Sequence, residues 1–403
     1  MSLPRIKVMI IITRMVRGGA QLVVLELLKG LDPKRFDLSL VAGEQTGREG
    51  SLWHEVEKLE IPTTRVPELV RQVSPYKDFQ AYRALRREIL RQQPDVVHCH
   101  TSKAGLLGCS AARRAGIRRV VLSPHGHILR DGAEIPGVPS RGLRRRLLAA
   151  AARVNTRYAD VVIAPNEEER EDGVRLRIWT REQSITVPNG VDTDRFVPRD
   201  RALARASLGW PEGETIVGTV ARLTREKGVD VALSSITEQP GVRLVVVGDG
   251  PERNALRQQA QSLGIESRVK FLGVMERVEN LLPAFDALLV PSRSEAHGLV
   301  AAEALACRVP VVCSGVGGLK SLVLHEQTGL QVVPNDPGAL GEALRRLLEN
   351  RPLGARLAAG GRAHVVENFS LSGMVSRTAQ LYLDLVHIQS PRPVFKAPAY
   401  QSH

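Results

Sequence analysis

Short apolar runs alternate with helix-favouring stretches along almost the whole chain. The first run, IKVMIII at residues 6–12, leads into a loop ending in Gly18-Gly19 and then into helical spacing of Leu and Val over Ala20–Leu31. Runs of this length, bounded by Gly or Pro, read as strands buried on both faces. Strands that alternate with helices build parallel sheets covered on both sides. The pattern recurs at Asp37–Ala42, Thr63–Val66, Asp95–His100, Val120–Ser123, Asp160–Ala164 and Ile185–Val187. It restarts at Thr215–Ala221 and continues through Val242–Val247, Val269–Leu272, Asp286–Val290, Val309–Cys313 and Leu330–Val333. Between the two series lies PNGVDTDRF, Pro188–Phe196, rich in turn residues.

The predicted fold class is α/β: two doubly wound parallel-sheet, Rossmann-like domains facing across a cleft. A chain of 403 residues is too long for one ordinary core. The expected division is an N-terminal domain over 1–190 and a C-terminal domain over 191–370. A terminal helix over 371–388 is expected to pack back on the first domain, followed by a flexible Pro-rich tail, 389–403. Helices are also predicted at Gly50–Leu59, Phe79–Gln92, Lys103–Ala115 and Ser140–Tyr158, from Glu276 onward, and over Pro337–Glu349 and Leu353–Asn368.

The four cysteines lie in or beside apolar runs, as small buried hydrophobes of a reducing compartment do. No run reaches membrane-spanning length and residues 1–20 lack a signal pattern, so a cytoplasmic location is expected. The net charge is +13, and residues 101–150 hold ten Lys and Arg against two Asp and Glu. Such a face is either merely solvated or suited to anionic lipid or a phosphorylated acceptor. Arg141, Arg144, Arg145 and Arg146 stand beside Leu143, Leu147 and Leu148 in one amphipathic stretch. It fits a helix resting on an anionic membrane, peripheral at the inner face, and equally a cover helix with a solvated side. Only 4% of residues are aromatic and no nucleic-acid module is recognisable, which argues against a nucleic-acid partner.

The densest chemistry is PSRSEAHGLVAAEALA, Pro291–Ala306. Glu295 falls in a polar loop after a strand, Gly298 marks the loop-to-helix junction, and Glu303 lies early in the helix. The amides of Gly298, Leu299 and Val300 are helix-start donors suited to an anion, beside two carboxylates suited to hydroxyls. Upstream, Arg222 and Lys227 sit near another helix start, where cations oppose the helix dipole unless an anion joins them. Gly248-Asp249-Gly250-Pro251 is a glycine turn without the third glycine of a dinucleotide fingerprint. His125, between Pro124 and Gly126 at a strand's end, is a candidate hydrogen-bonding or acid/base group. His98-Cys99-His100 lacks a second ligand cluster, so no metal is expected. Asp192-Thr193-Asp194 reads as turn chemistry.

Taken in order, these motifs resemble the family-4 retaining glycosyltransferases of the GT-B fold, over roughly residues 5–388. The resemblance rests on Gly18-Gly19-Ala20, Pro124-His125-Gly126, Pro188-Asn189-Gly190-Val191-Asp192 with Phe196, Val220-Ala221-Arg222-Leu223 with Lys227-Gly228, Val247–Pro251, and the two glutamates with seven residues between them. It implies a nucleotide-sugar donor, UDP-sugar favoured, with no cofactor and no metal. Arg222 and Lys227 would neutralise the diphosphate, Glu303 would take the ribose hydroxyls, and Glu295 would lie near the sugar. Gly18, Gly19, Gly248, Gly250, Val274, Gly298, Leu299 and Val300 would line the donor site, and His125 would hydrogen-bond the donor sugar. The run HCHTSKAGLLG with PHG looks most like transferases that build bacterial cell-surface polysaccharides. That implies a lipid-linked or glycan acceptor. The chain departs from the family pattern at Ala221, His297 and Ser321, where Gly, Phe and Glu are usual. Competing readings are a sugar-nucleotide epimerase or hydrolase on the same fold, and a non-enzymatic basic membrane scaffold. The nucleotide base, the sugar, the linkage and the oligomeric state are not legible.

Overall fold

The computed structural model describes residues 4–44, 50–125, 150, 152–154 and 156–387. The described chain forms two compact units: residues 4–125, 150–188 and 374–387 in one, and residues 189–373 in the other. It passes between them at Pro188–Asn189 and again at Gly373–Met374. The tail 389–403 and Arg141, Arg144, Arg145 and Arg146 lie outside the described residues.

The first unit holds a seven-stranded sheet: β1 (Ile6–Arg14), β2 (Phe36–Gly43), β3 (Thr63–Arg65), β4 (Val96–His100), β5 (Val120–Ser123), β6 (Val161–Ala164) and β7 (Ser184–Thr186). Its order is β3-β2-β1-β4-β5-β6-β7, with every pairing parallel. The second unit repeats the plan with six strands: β8 (Thr215–Val220), β9 (Val242–Val247), β10 (Val269–Gly273), β11 (Ala287–Val290), β12 (Val311–Ser314) and β13 (Leu330–Val332). Its order is β10-β9-β8-β11-β12-β13, again all parallel. In each sheet the order of strand addition therefore reverses once, at β1/β4 and at β8/β11. Helices leave opposite faces on either side of that point, so a crevice opens at the carboxyl ends of the strands.

The apolar runs become strands because both of their faces are covered. All residues of β5, β6, β11 and β12 are buried. In the second unit two separate clusters fill the two faces, one around Phe285 and Leu305, the other around Leu233 and Leu340. The predicted helix Gly50–Leu59 contracts to Trp53–Glu57, because Ser51 bridges Val16 instead. The helix expected from Glu276 is one turn, Val278–Leu281, stopped by Pro283. Two helices escaped the apolar pattern. Glu167–Arg175 is acidic and nearly stripeless, and its signal is the cap: the Asn166 side chain accepts from the Glu169 amide. Arg201–Ser207 buries an arginine, Arg205, which bonds the Ala284, Glu212 and Glu214 carbonyls and the Asp286 carboxylate.

The last helix, Leu371–His387, belongs to the first unit from Met374 onward. Tyr382 is fully buried, edge-on to Phe36, and its hydroxyl bonds His98 Nδ1 at 2.6 Å. Arg119 Nε donates to the Leu385 carbonyl at 2.8 Å. Replacing Tyr382 by Phe strands a buried ring nitrogen. Urea titration of Tyr382→Phe should show a loss of about 1–3 kcal/mol, and an unchanged midpoint would remove this bond from the stabilising set.

Candidate functional site

In the second unit, β8 and β11 flank the reversal, and the loops that follow them carry the chemistry. The loop after β8 contains Arg222 and Lys227; the loop after β11 contains Glu295 and ends in the helix Leu299–Ala306. Lys227 Nζ donates to Glu295 Oε2 at 2.7 Å, with only 22% and 12% of the two side chains exposed. Ser292 Oγ donates to the same oxygen at 3.2 Å. Arg222 is exposed and pairs with Glu226 at 3.0 Å, so it is available to a ligand at little desolvation cost.

Backbone contact locks these loops together. Gly228 has φ +65, and a Cβ there would lie 2.0 Å from the Pro291 carbonyl oxygen. Gly317 has φ +49, and a Cβ there would lie 1.8 Å from the Glu295 carbonyl oxygen. Arg293 reinforces the first contact: its amide donates to the Glu226 carbonyl at 2.8 Å, and its guanidinium forks onto Asp230 at 2.8 and 2.6 Å. Gly248 and Gly250 press on the Ala221 and Leu223 carbonyls, so they hold the loop after β8 in place. Val274 follows that layer and is 73% exposed.

Gly298, in the left-handed region at φ 83, turns the chain into the helix. The first amides that return to a carbonyl are Ala301 and Ala302, both onto Gly298. The amides of Leu299 and Val300 have no intrahelical acceptor and form a partial positive charge beside the Lys227–Glu295 pair. Glu303 lies further along the helix and accepts no hydrogen bond from the described residues. Burial raises its carboxyl from 4.5 to about 7, against the pull of nearby Arg195 and with a further push from Glu279. Arg195 is itself committed to Glu279 at 2.8 Å. A desolvated carboxylate without donors fits a ligand that brings hydroxyls.

His297 is turned away from this chemistry. It is buried, bonds the Asn189 carbonyl through Nε2 at 2.8 Å and packs near Phe369. Ser321 likewise closes locally, its hydroxyl on the Gly318 carbonyl at 3.2 Å. Both departures from the family pattern thus serve the packing of the loop.

In the first unit, Gly18 caps the helix Gly19–Gly30 in extended backbone. His125 sits just beyond β5 with φ +56, and its Nε2 meets His100 Nδ1 at 2.8 Å over stacked rings. His98 and His100 lie two apart on β4, share a face, and approach to 4.0 Å between ring centroids. Sequence reading missed this row of histidines, because β4 and β5 become neighbours only in the sheet. Both nitrogens of His98 are taken, by Tyr382 and by Ser123 Oγ, which leaves no lone pair for a metal. Burial, then His125, pushes His98 down to about 3, and burial, then His98 and His125, holds His100 far below its usual value, so both rings are neutral. His100 Nε2 is buried without a partner. A bare lone pair there is less costly than an orphaned N–H. The hydrogen-bond network therefore assigns the His100 proton to Nδ1, donating to His125 Nε2. With a neutral His125, the proton of that ring then lies on Nδ1.

The chain matches two families in succession: Glycosyltransferase Family 4 over residues 17–195 and Glycosyl transferases group 1 over residues 200–364. It is 36% identical to the D-inositol 3-phosphate glycosyltransferase of Xylanimonas cellulosilytica, over 69% of this chain and 70% of that protein. It is 28% identical to the UDP-Gal:α-D-GlcNAc-diphosphoundecaprenol α-1,3-galactosyltransferase of Escherichia coli, over 92% and 94%. Among solved structures, Anabaena HepE in complex with UDP superposes with a TM-score of 0.79 at 23% identity, over 94% of this chain and all of that one. The fold is thus GT-B, and the chain belongs to the family-4 glycosyltransferases.

Glu303, half-buried but desolvated at its carboxyl, makes stability depend on pH. Its folded pKa lies above the unfolded value, so its contribution is full below pH 4.5 and is lost as pH rises through about 7. The loss is at most about 3 kcal/mol, reduced by the solvent that reaches its edge. Thermal melts of Glu303→Gln should lack the wild-type decline across that window. A decline of equal size in both proteins would assign it to another group.

Proposed function

We propose that the protein is a retaining, metal-independent glycosyltransferase that moves a hexose or N-acetylhexosamine from a nucleotide sugar, UDP-sugar favoured, to a lipid-linked or polysaccharide acceptor of the cell envelope. The observation that carries this reading is Glu303, a desolvated carboxylate without a donor among the described residues, on the helix whose first amides have no intrahelical acceptor. A nucleoside diphosphate supplies both needs: ribose hydroxyls for the carboxylate, phosphates for the amides, Arg222 and Lys227. The complexes of Anabaena HepE with UDP and with UDP-glucose support the donor class, and the lipid-diphosphate substrate in the name of the E. coli relative supports the acceptor class.

In this reading the bond from the sugar's anomeric carbon to the diphosphate oxygen breaks as negative charge grows on the phosphate. Arg222, Lys227 and the helix-start amides stabilise that charge in the transition state, which leaves no role for a metal. The acceptor hydroxyl attacks from the face the diphosphate leaves, and its proton passes to the departing phosphate oxygen, so configuration is retained. Glu295 stands beside the sugar as Lys227 shifts toward the diphosphate. His125 donates its Nδ1 proton to a sugar hydroxyl. The acceptor is met at the inner face of the plasma membrane, where Arg141, Arg144, Arg145 and Arg146 add positive charge.

Glu295→Ala and Lys227→Ala are each expected to lower transfer by about a hundredfold or more with far-UV spectra unchanged. Transfer at the wild-type rate in either variant would sink the assignment. A thermal-shift screen against UDP-, GDP- and ADP-sugars should raise the midpoint for one base above the others. Donor consumption at full rate with no acceptor present would favour a hydrolase instead.

A further inference from the structure

A cavity of about 780 Å3 opens beside the helix Pro75–Gln92 of the first unit. Arg83, Arg86 and Arg87 from that helix and Arg114 from the end of Ser102–Arg114 line it. None of the four is ion-paired within the described residues, whereas neighbouring Arg91 and Arg113 are, to Glu88 and Asp160. Glu68 is the one carboxylate in the lining. Arg86 Nε reaches only the Arg114 carbonyl, at 3.5 Å, and Arg114 lies over the Tyr82 ring. Arg83 lies over the Phe79 ring, and four guanidiniums against one carboxylate leave a net positive charge that an anion relieves.

The same helix carries apolar groups on the same side. At 100° per residue, Tyr76, Phe79, Arg83, Arg86, Arg87 and Leu90 fall within one stripe of about 100°. Tyr76 is 73% exposed, Phe79 59% and Leu90 40%, and Val73 in the preceding turn is 88% exposed. The opposite side, Ala81, Leu85 and Ile89, is buried in the core. Glu88 is buried too, and Arg91, Gln92 and Thr64 hold its carboxylate, so its charge is spent inward. A free phosphate has no use for the exposed aromatic and aliphatic groups. A bilayer uses both, with phosphates meeting guanidiniums and aromatic rings seating at the headgroup level. The helix begins at the carboxyl edge of the sheet, the edge at which His100 and His125 stand, because it follows β3 and precedes the parallel strand β4.

We propose that this face, from Val73 to Leu90 with Arg114, docks the first unit on an anionic phospholipid bilayer. The proposal rests on the reading of a lipid-linked acceptor, which such docking would keep at the same bilayer as the enzyme. The arginines take lipid phosphates into the cavity, and Val73, Tyr76 and Phe79 enter the interface beside them.

Flotation with vesicles of phosphatidylglycerol and phosphatidylcholine tests it. Wild type should bind these at low salt, bind pure phosphatidylcholine far less, and release as salt screens the charges. Replacing Arg83, Arg86 and Arg87 together by Gln should weaken binding by about tenfold to a hundredfold. Tyr76→Ser with Phe79→Ser should leave binding that salt alone removes. Nucleotide-sugar thermal shifts should be unchanged in both variants, so a failed donor reading and a failed docking face give different results. Wild-type partition of the triple-Arg variant overturns the proposal, as does loss confined to a variant with Arg141, Arg144, Arg145 and Arg146 replaced by Gln. Displacement of vesicles by millimolar inorganic phosphate would assign the cavity to a free anion and overturn it. Preference for a single-stranded oligonucleotide over vesicles at equal salt would overturn it as well.

Discussion

Two peptide segments of the second unit lie closer to their neighbours than any side chain allows, and the candidate donor site depends on this. Gly317 rests on the Glu295 carbonyl and Gly228 on the Pro291 carbonyl, each at a position where a Cβ would overlap oxygen. With both contacts made, the loops after β8, β11 and β12 form one layer. Glu295 and Lys227 are then held 2.7 Å apart although 68 residues separate them. The helix Leu299–Ala306 starts from that layer, so the direction of its first amides is set by backbone packing and not by flexible side chains. Electrostatic stabilisation of a leaving group benefits from such preorganisation, because dipoles already fixed need no reorientation as charge develops.

The first unit is organised by buried polar groups instead. His98 is clamped between Tyr382 and Ser123, His100 lies against it, and His125 completes the row at the sheet's carboxyl edge. His98 and His100 meet ring to ring, and the hydrogen bond from His100 to His125 settles which nitrogen of the next ring carries the proton. The helix Leu371–His387 is therefore more than a lid over apolar surface. Through Tyr382 it reaches the row that ends at His125.

The arginines divide into two populations. Arg205, Arg293 and Arg113 are satisfied by carbonyls and carboxylates and serve the fold. Arg83, Arg86, Arg87 and Arg114 have no carboxylate partner within the described residues and surround open space. An Arg-rich composition by itself does not separate these groups, because pairing depends on which strand or helix end comes alongside.

The alternation of apolar runs and helices was enough to define two parallel α/β sheets, because only a strand covered on both faces tolerates runs such as IKVMIII or ALLV. The order of the glycine turns, Arg222 with Lys227, and the two glutamates was enough for the family, since each motif is local to one strand-to-helix junction. The helices Glu167–Arg175 and Arg201–Ser207 were not legible, because caps and a buried arginine hold them and not an apolar stripe. Tertiary structure alone decided that His297 packs against Asn189 and Phe369, that Glu303 is desolvated without a donor among the described residues, and that His98, His100 and His125 form one row. Each of these depends on neighbours far away in sequence, and burial and hydrogen bonding are properties of those neighbours, which local spacing does not encode.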